Sequence, residues 1–484
     1  MAFVWHHHQA PTLLPDGKPH STWAVKHLTE GLYYNFTGGP YAIHLEIHRR
    51  HPEVRDVDHF SPSLLEAWNL VIEGVIDASP TARSLARRVI EELRALVASG
   101  RVEPLASVYA HTVQGYMLRL FESKGLGWFA EYLLEWELEL GARIVERCLG
   151  VRPRGVWTPE MFWDQRLSEI YRRKGFEYTV LCDQHFAKAV GDKRSIYEPY
   201  VMRDTGLKVF FRDRQLSDWI SFMGDPGSEY AADLEARRFI VALFERLRRH
   251  PGGVVVIALD GENWMFMPSA KRYAPYFLDR VYAYLEANSE YFETVTLSDV
   301  LGSIEPTRQI ATIPWGSWVG LSASQWTGNE RDELWEYVVT KLRWVAALLG
   351  SLPEPVRSKL SNDPQSPVYR ALLASAIAID SDFFWYAWKE PERTIIKSWA
   401  DEAERVSKEE LSKLEVVIEQ GKRGSLVRFK SALDYPLRVT VECLSGEARF
   451  EIEIPPYGLT QIEMPCYEVA VKAPPVILAQ APKP

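Results

Sequence analysis

The chain has 484 residues, more than one hydrophobic core ordinarily organises, so two or three domains are expected. It is 46% hydrophobic and 25% charged, which excludes a largely disordered chain. The net charge of −9, with no basic stripe along any expected helix, argues against a nucleic-acid partner, and no run of about 18 apolar residues is available to cross a membrane.

The opening segment MAFVWHHHQAP has no basic stretch followed by an apolar one, so no secretion signal is expected and a cytoplasmic location fits best. From there to about residue 270, short apolar runs alternate with amphipathic helices. The runs are Ala2–Trp5, Val156–Trp157, Tyr178–Cys182, Val209–Phe211 and Val254–Leu259. The last reads VVVIAL and suits a strand buried on both faces. The helical patterns cover roughly 80–99, 129–149, 164–174 and 231–249. Such alternation implies βαβ units and a parallel sheet or barrel, with chemistry at the C-terminal ends of the strands. Between about 270 and 420 the pattern becomes helical, over 271–288, 329–350, 366–380 and 393–419. Beyond 421, period-two alternation in SLVRFKSAL, LRVTVECL, ARFEIEI, TQIEM and YEVAVKA predicts a small antiparallel β domain, followed by a loose tail APPVILAQAPKP. The expected domains are therefore 1–270, 271–420 and 421–484. Cys148, Cys182, Cys443 and Cys466 form no close-spaced motif, which reads as free thiols rather than a zinc or redox site.

Two carboxylates carry the chemistry. In Gly155-Val156-Trp157-Thr158-Pro159-Glu160 an apolar run stops at a proline that cannot pair within a central strand, which leaves Glu160 at the strand's C-terminal end. In Leu259-Asp260-Gly261-Glu262-Asn263-Trp264 a buried run ends in an acid, and Gly261 permits a sharp turn. An acid placed directly after a buried strand is paired or functional, because unpaired burial is costly. Two carboxylates on separate strand ends are what glycosidic cleavage requires, one attacking or activating water and the other protonating the leaving oxygen.

These segments resemble glycoside hydrolase family 57 over nearly the whole chain. The first conserved region of that family corresponds to His6-His7-His8-Gln9-Ala10-Pro11, with Ala10 in place of the usual proline. The second corresponds to Tyr109-Ala110-His111, the third to GVWTPE and the fourth to LDGENW. The fifth, expected to be helical, corresponds to Gly316-Ser317-Trp318 and Trp326-Thr327-Gly328. The resemblance implies an incomplete (β/α)7 barrel, a helical domain that completes the cleft, and a retaining reaction on α-glucans. Glu160 would be the nucleophile and Asp260 the acid/base. No catalytic metal or other cofactor is implied, and the expected partner is an α-glucan or maltooligosaccharide.

Further residues are assigned to the substrate. Strand alternation puts His6 and His8 on one face and His7 on the other. His6, His8 and His111 are assigned to sugar binding, and Trp157, Trp264, Trp318 and Trp326 to sugar contacts or stacking. Asp183 and His185 are expected to face the cleft. Arg212 pairs either with a catalytic carboxylate or with Asp213 or Asp218, and Glu262 positions a neighbour. Hydrolysis is the leading expectation, with 4-α-glucanotransferase or branching activity on the same carboxylates as its alternative. A reading from another class is metal-dependent polysaccharide deacetylation. It rests on the spacing of His44-Leu45-Glu46-Ile47-His48, with Asp183 or Asp260 as a third ligand, although such a pair on a polar helix more often faces solvent.

Overall fold

A computed structural model describes residues 1–481 apart from 192–194, 268, 388 and 447. It resolves into two compact units, one of residues 1–13, 17–119 and 134–325, the other of residues 14–16, 120–133 and 326–484.

The first unit is built on a nine-stranded sheet. Strand Ala2–His7 is buried at every position, as its AFVW run dictates, and lies between Val256–Asp260 and Asp56–Phe60. Next in order come Val102–Ala106, Gly155–Trp157, Tyr178–Leu181 and Lys208–Phe211. These seven strands are all parallel, as expected for an incomplete (β/α)7 barrel. Tyr200–Met202 then pairs antiparallel with Lys208–Phe211, and Gln309–Ile310 extends that edge. Two of the parallel strands were not expected from sequence. Asp56–Phe60 reads DVDHF and Val102–Ala106 reads VEPLA, so their polar residues hide strands that are mostly buried.

The helices begin where local chemistry predicts. The Ser61 side chain accepts from the Leu64 amide and Pro62 follows at the first helical position of Pro62–Glu73, which ends at left-handed Gly74. Ser79 and Ser228 cap Pro80–Ala98 and Glu229–Arg249 in the same way. Phe3 and Trp5 point to one side of the sheet and share a core with Phe239 and Leu243 of Glu229–Arg249 and with Phe277 and Val281 of Ala274–Ala287. That shared core is why the first unit continues past residue 270 to 325.

The second unit contains helices Glu330–Gly350, Glu354–Ser361, Pro367–Ala378, Ser381–Trp385 and Glu392–Ser412. The Trp335 ring stacks on Phe384 with centroids 3.6 Å apart. Helix Glu392–Ser412 is shorter than its pattern suggested, because Leu414–Gly421 is a strand paired with Gly424–Ser431. The β part comprises a three-stranded and a four-stranded antiparallel sheet. Val476–Gln480 is a strand on Val469–Ala473, which corrects the expectation of a loose tail; residues 482–484 lie outside the described residues. Cys443 and Cys466 are joined in a disulfide, whereas Cys148 and Cys182 are free and buried. The 23-residue separation of the bonded pair concealed it from the spacing argument. Among the described residues no helix is long and apolar enough to cross a membrane.

Candidate active site

The strand Gly155–Trp157 stops two residues before Pro159, and Pro159–Met161 forms a single 3₁₀ turn. Inside that turn Glu160 adopts φ 56°, ψ 16°, and Met161 φ 45°. Non-glycine residues pay for the left-handed region with steric strain, and the surroundings hold these two there. Buried Thr158 anchors the turn: its hydroxyl lies 2.9 Å from both Tyr171 OH and Thr179 Oγ1, and Tyr171 donates to Gln114 Oε1 at 2.6 Å. The carboxylate then meets two aromatic side chains. Trp318 Nε1 donates to Glu160 Oε2 at 3.0 Å, and His111 Nδ1 lies 3.9 Å from Oε1. The Trp318 amide also donates to the Glu160 carbonyl at 3.3 Å.

A ladder of aromatic rings leads from this turn to the second carboxylate. The His6 ring stacks on Trp157 at 4.7 Å, on His111 at 4.8 Å and on His59 at 4.9 Å; His8 stacks on His111 at 4.1 Å. His6 Nδ1 and His59 Nδ1 are 2.7 Å apart and share one proton between them. Three strand steps separate His6 from Trp157 in the sheet order, about 14 Å in a flat sheet. Ring contact at 4.7 Å therefore reports strong curling toward the His6 face. Burial, reinforced by the neighbouring histidines, holds His6 and His59 well below the usual imidazole range, so both are neutral near pH 7.

Asp260 is the last residue of its strand and is exposed. It pairs in register with His6, so the two side chains share a face, and the Gly261 amide donates to the His6 carbonyl at 2.7 Å. Asn263 Nδ2 donates to Asp260 Oδ2 at 3.0 Å. The predicted face alternation is present: His6 and His8 stack on one side, and His7 stacks on Phe60 on the other.

Arg212 does not touch Glu160 directly. Its Nη1 donates to the Ala258 carbonyl at 3.1 Å, its Nη2 lies 3.8 Å from Asp218, and its guanidinium sits 5.7 Å from the Trp318 ring centre. It thus supports the indole that holds Glu160. Asp213 is taken by Arg246 and Tyr197 at 2.6 and 2.8 Å. Asp183 opens helix Asp183–Ala189, and burial raises its carboxyl above the ordinary range against the pull of Arg212.

Several assignments need correction. His185 is fully buried; its Nε2 lies 2.9 Å from the Gly316 carbonyl and its Nδ1 3.0 Å from Cys182 Sγ. It pins the loop that carries Trp318 rather than facing a sugar. Trp264 is only 1% exposed and packs on Trp5 in the core behind the sheet, where no sugar reaches it. Glu262 is likewise buried. The segment 316–328 is loop and turn, not helix; it leaves Trp318 in the first unit and Trp326 in the second, where Trp326 packs edge-on against Trp385. Trp157 is 4% exposed and acts as the floor beneath His6. His44 and His48 are buried rather than solvent-facing, paired with Asp58 at 3.0 Å and Asp56 at 2.8 Å. Among the described residues no group of three potential metal ligands includes Asp183 or Asp260.

Sequence reasoning missed His59, Asn263 and Glu137. His59 ends a strand whose acids disguised it. Buried Glu137 accepts from Thr112 Oγ1 at 2.9 Å and from the Ala110 amide at 3.3 Å, bracketing His111, itself at φ 52°. Only its helical position beside a loop distant in sequence makes Glu137 relevant, and no local signal marks it.

Glycosyl hydrolase family 57 matches residues 2–314. A 4-alpha-glucanotransferase of Thermococcus litoralis is 27% identical over 300 residues, 60% of this chain and 38% of its own length. An alpha-amylase of Pyrococcus furiosus is 25% identical over 202 residues, 41% of this chain and 26% of its own. The chain thus spans less than half the length of these relatives. Among solved structures, a family 57 branching enzyme from Thermococcus kodakaraensis superposes with a TM-score of 0.61 at 16% identity, covering 84% of this chain and 88% of that one. An alpha-amylase from Thermotoga maritima gives 0.59 at 17% identity, with 84% and 91% covered. With its sheet, its ladder of histidines and its two strand-end carboxylates, the chain belongs to glycosyl hydrolase family 57.

Proposed function

We propose that this protein is a retaining glycoside hydrolase acting on α-1,4-linked glucans such as maltooligosaccharides or starch, with α-1,6 bonds as a secondary target. The observation that carries the reading is the strained Glu160, gripped by Trp318 and joined through the His111–His6 ladder to the strand that ends in Asp260. Glu160 attacks the anomeric carbon while Asp260 gives its proton to the departing oxygen. Asp260 then takes a proton from water, and the glycosyl–Glu160 ester is cleaved with net retention. His8 and His111 hydrogen-bond sugar hydroxyls, and the neutral His6–His59 pair orients them without adding charge beside the developing oxocarbenium ion.

A second reading, 4-α-glucanotransferase, is favoured by the relative of that name at 27% identity. It uses the same carboxylates with a sugar hydroxyl as acceptor. Maltoheptaose incubated with the purified protein and a chelator separates the two. Short maltooligosaccharides with rising reducing ends identify a hydrolase. Chains both longer and shorter than the substrate, with constant reducing ends, identify a transferase. Substantial turnover by Glu160→Gln overturns both.

A further inference from the structure

Behind the sheet, on the face away from His6, three side chains from three elements converge. His7 comes from strand Ala2–His7, Asp58 from Asp56–Phe60 and His44 from helix Pro40–Arg50. All are essentially fully buried. His44 Nε2 lies 3.0 Å from Asp58 Oδ2, and the His7 and His44 rings meet edge to face at 4.6 Å. One ligand atom from each of the three lies within 4.8 Å of the others. Both nitrogens of His7 and the Oδ1 of Asp58 have no hydrogen-bond partner. Orphaned buried polar atoms of this kind are costly, and a folded protein rarely keeps three together.

We propose that His7, His44 and Asp58 form a buried site for a divalent transition metal, zinc above all, that ties helix Pro40–Arg50 to the sheet. Imidazole and carboxylate are zinc ligands, with bonds of about 2.0–2.2 Å that put ligand atoms roughly 3.3 Å apart in a tetrahedral shell. The observed spread closes on that shell by side-chain rotation of an ångström or so. The ion replaces the His44–Asp58 hydrogen bond, gives His7 its missing partner, and has Asp58 Oδ1 available as a further donor. A plain ion pair of His44 with Asp58 leaves His7 and Oδ1 unsatisfied. The adjoining set His44, His48 and Asp56 is less suited, because Asp56 Oδ2 already receives Trp5 Nε1 at 3.0 Å and Tyr282 OH at 2.6 Å beside His48. The site lies directly under Gly261, where an added Cβ would stand 2.0 Å from His7 Nδ1, so it also braces the turn that follows Asp260.

A site this deep loads as the chain folds, so the test begins from the unfolded protein. The full chain is refolded from guanidinium with Zn²⁺, freed of loose ions, and its metal measured by mass spectrometry. About one zinc per chain is expected, with a Tm higher than that of chain refolded in chelator. His7→Asn should lose that zinc, whereas Glu160→Gln should keep it, which separates this site from the proposed catalysis. Wild-type chain that folds without retaining zinc, or folded His7→Asn that still holds it, overturns the proposal. Should His7→Asn not fold, X-ray absorption of the wild-type zinc protein decides: two imidazoles and oxygen in the first shell support the site, and any other ligand set overturns it.

Discussion

The indole Nε1 of Trp318 donates to Glu160 Oε2 at 3.0 Å, across 158 positions of sequence. This bond links a flexible-looking loop to the end of a central strand, and it orients the carboxylate proposed as nucleophile. A hydrogen bond to a charged group contributes about 1.5–3 kcal/mol. Trp318→Phe keeps the ring that Arg212 covers but removes the donor. Its kcat/KM on maltoheptaose should fall about 10- to 150-fold with little change in Tm. An unchanged kcat/KM would show that the bond does not serve the reaction.

Asp260 is exposed at the tip of its strand, and Asn263 Nδ2 donates to its Oδ2 at 3.0 Å. Asp260→Asn should therefore fold normally. It should lose about 10²–10⁴-fold on maltooligosaccharides, whose leaving oxygen needs a proton, and far less on aryl glycosides with acidic leaving groups in single-turnover measurements. Equal losses on both substrates would remove Asp260 from the acid role.

Gly261 is small for a reason other than its turn. Its φ is not among the left-handed values, but a Cβ there would stand 2.0 Å from His7 Nδ1 and 2.2 Å from Cε1. The His7 ring stacks on Phe60 at 4.3 Å and meets His44 edge to face at 4.6 Å, so making room for a Cβ would disturb both contacts. Gly261→Ala should cost about 1–3 kcal/mol in denaturant unfolding and should lower activity by displacing Asp260. Full stability with full activity would mean that the ring moves freely.

Glu137 offers a test by pH. Burial pushes its carboxyl up to about 8, against the hydrogen bonds from Thr112 and Ala110. It is thus neutral in the fold but ionised in the unfolded chain above about pH 4.5. Its contribution is fully present below that value and is lost as pH rises through about 8. Glu137→Gln stays neutral throughout and mimics the protonated form. Urea midpoints of the two proteins should agree near pH 4.5 and diverge toward pH 8, with the variant more stable, by up to about 1.4 kcal/mol per pH unit. Parallel curves would show that Glu137 ionises normally in the folded protein.

Where a feature depends on a few neighbouring residues, it was legible in advance. Pro159 ends its strand because it lacks an amide hydrogen, and that alone places Glu160 at the strand end. VVVIAL can only be an interior strand, which puts Asp260 at its tip. Ser79-Pro80 starts a helix through its own hydroxyl and fixed φ. The strand DVDHF was invisible because its polar residues find partners far away, Asp56 with His48 and Tyr282, and Asp58 with His44. Composition scores such residues as surface, whereas the fold satisfies them inside. Trp264 and His185 failed in the opposite direction, since residue type suggested a sugar contact and packing buried both.

The sequence by itself determined the family-57 framework, the two carboxylates and the side of the strand on which each histidine of the His6–His8 run lies, because these follow from chain-local sterics and a period of two. Only the tertiary structure decided which groups surround them: that Trp318 grips Glu160, that Arg212 stands behind Trp318, and that His59 completes the ladder. Those contacts join residues 53 to 158 positions apart. They arise from the curl of the sheet, which depends on the packing of every strand at once rather than on any one segment.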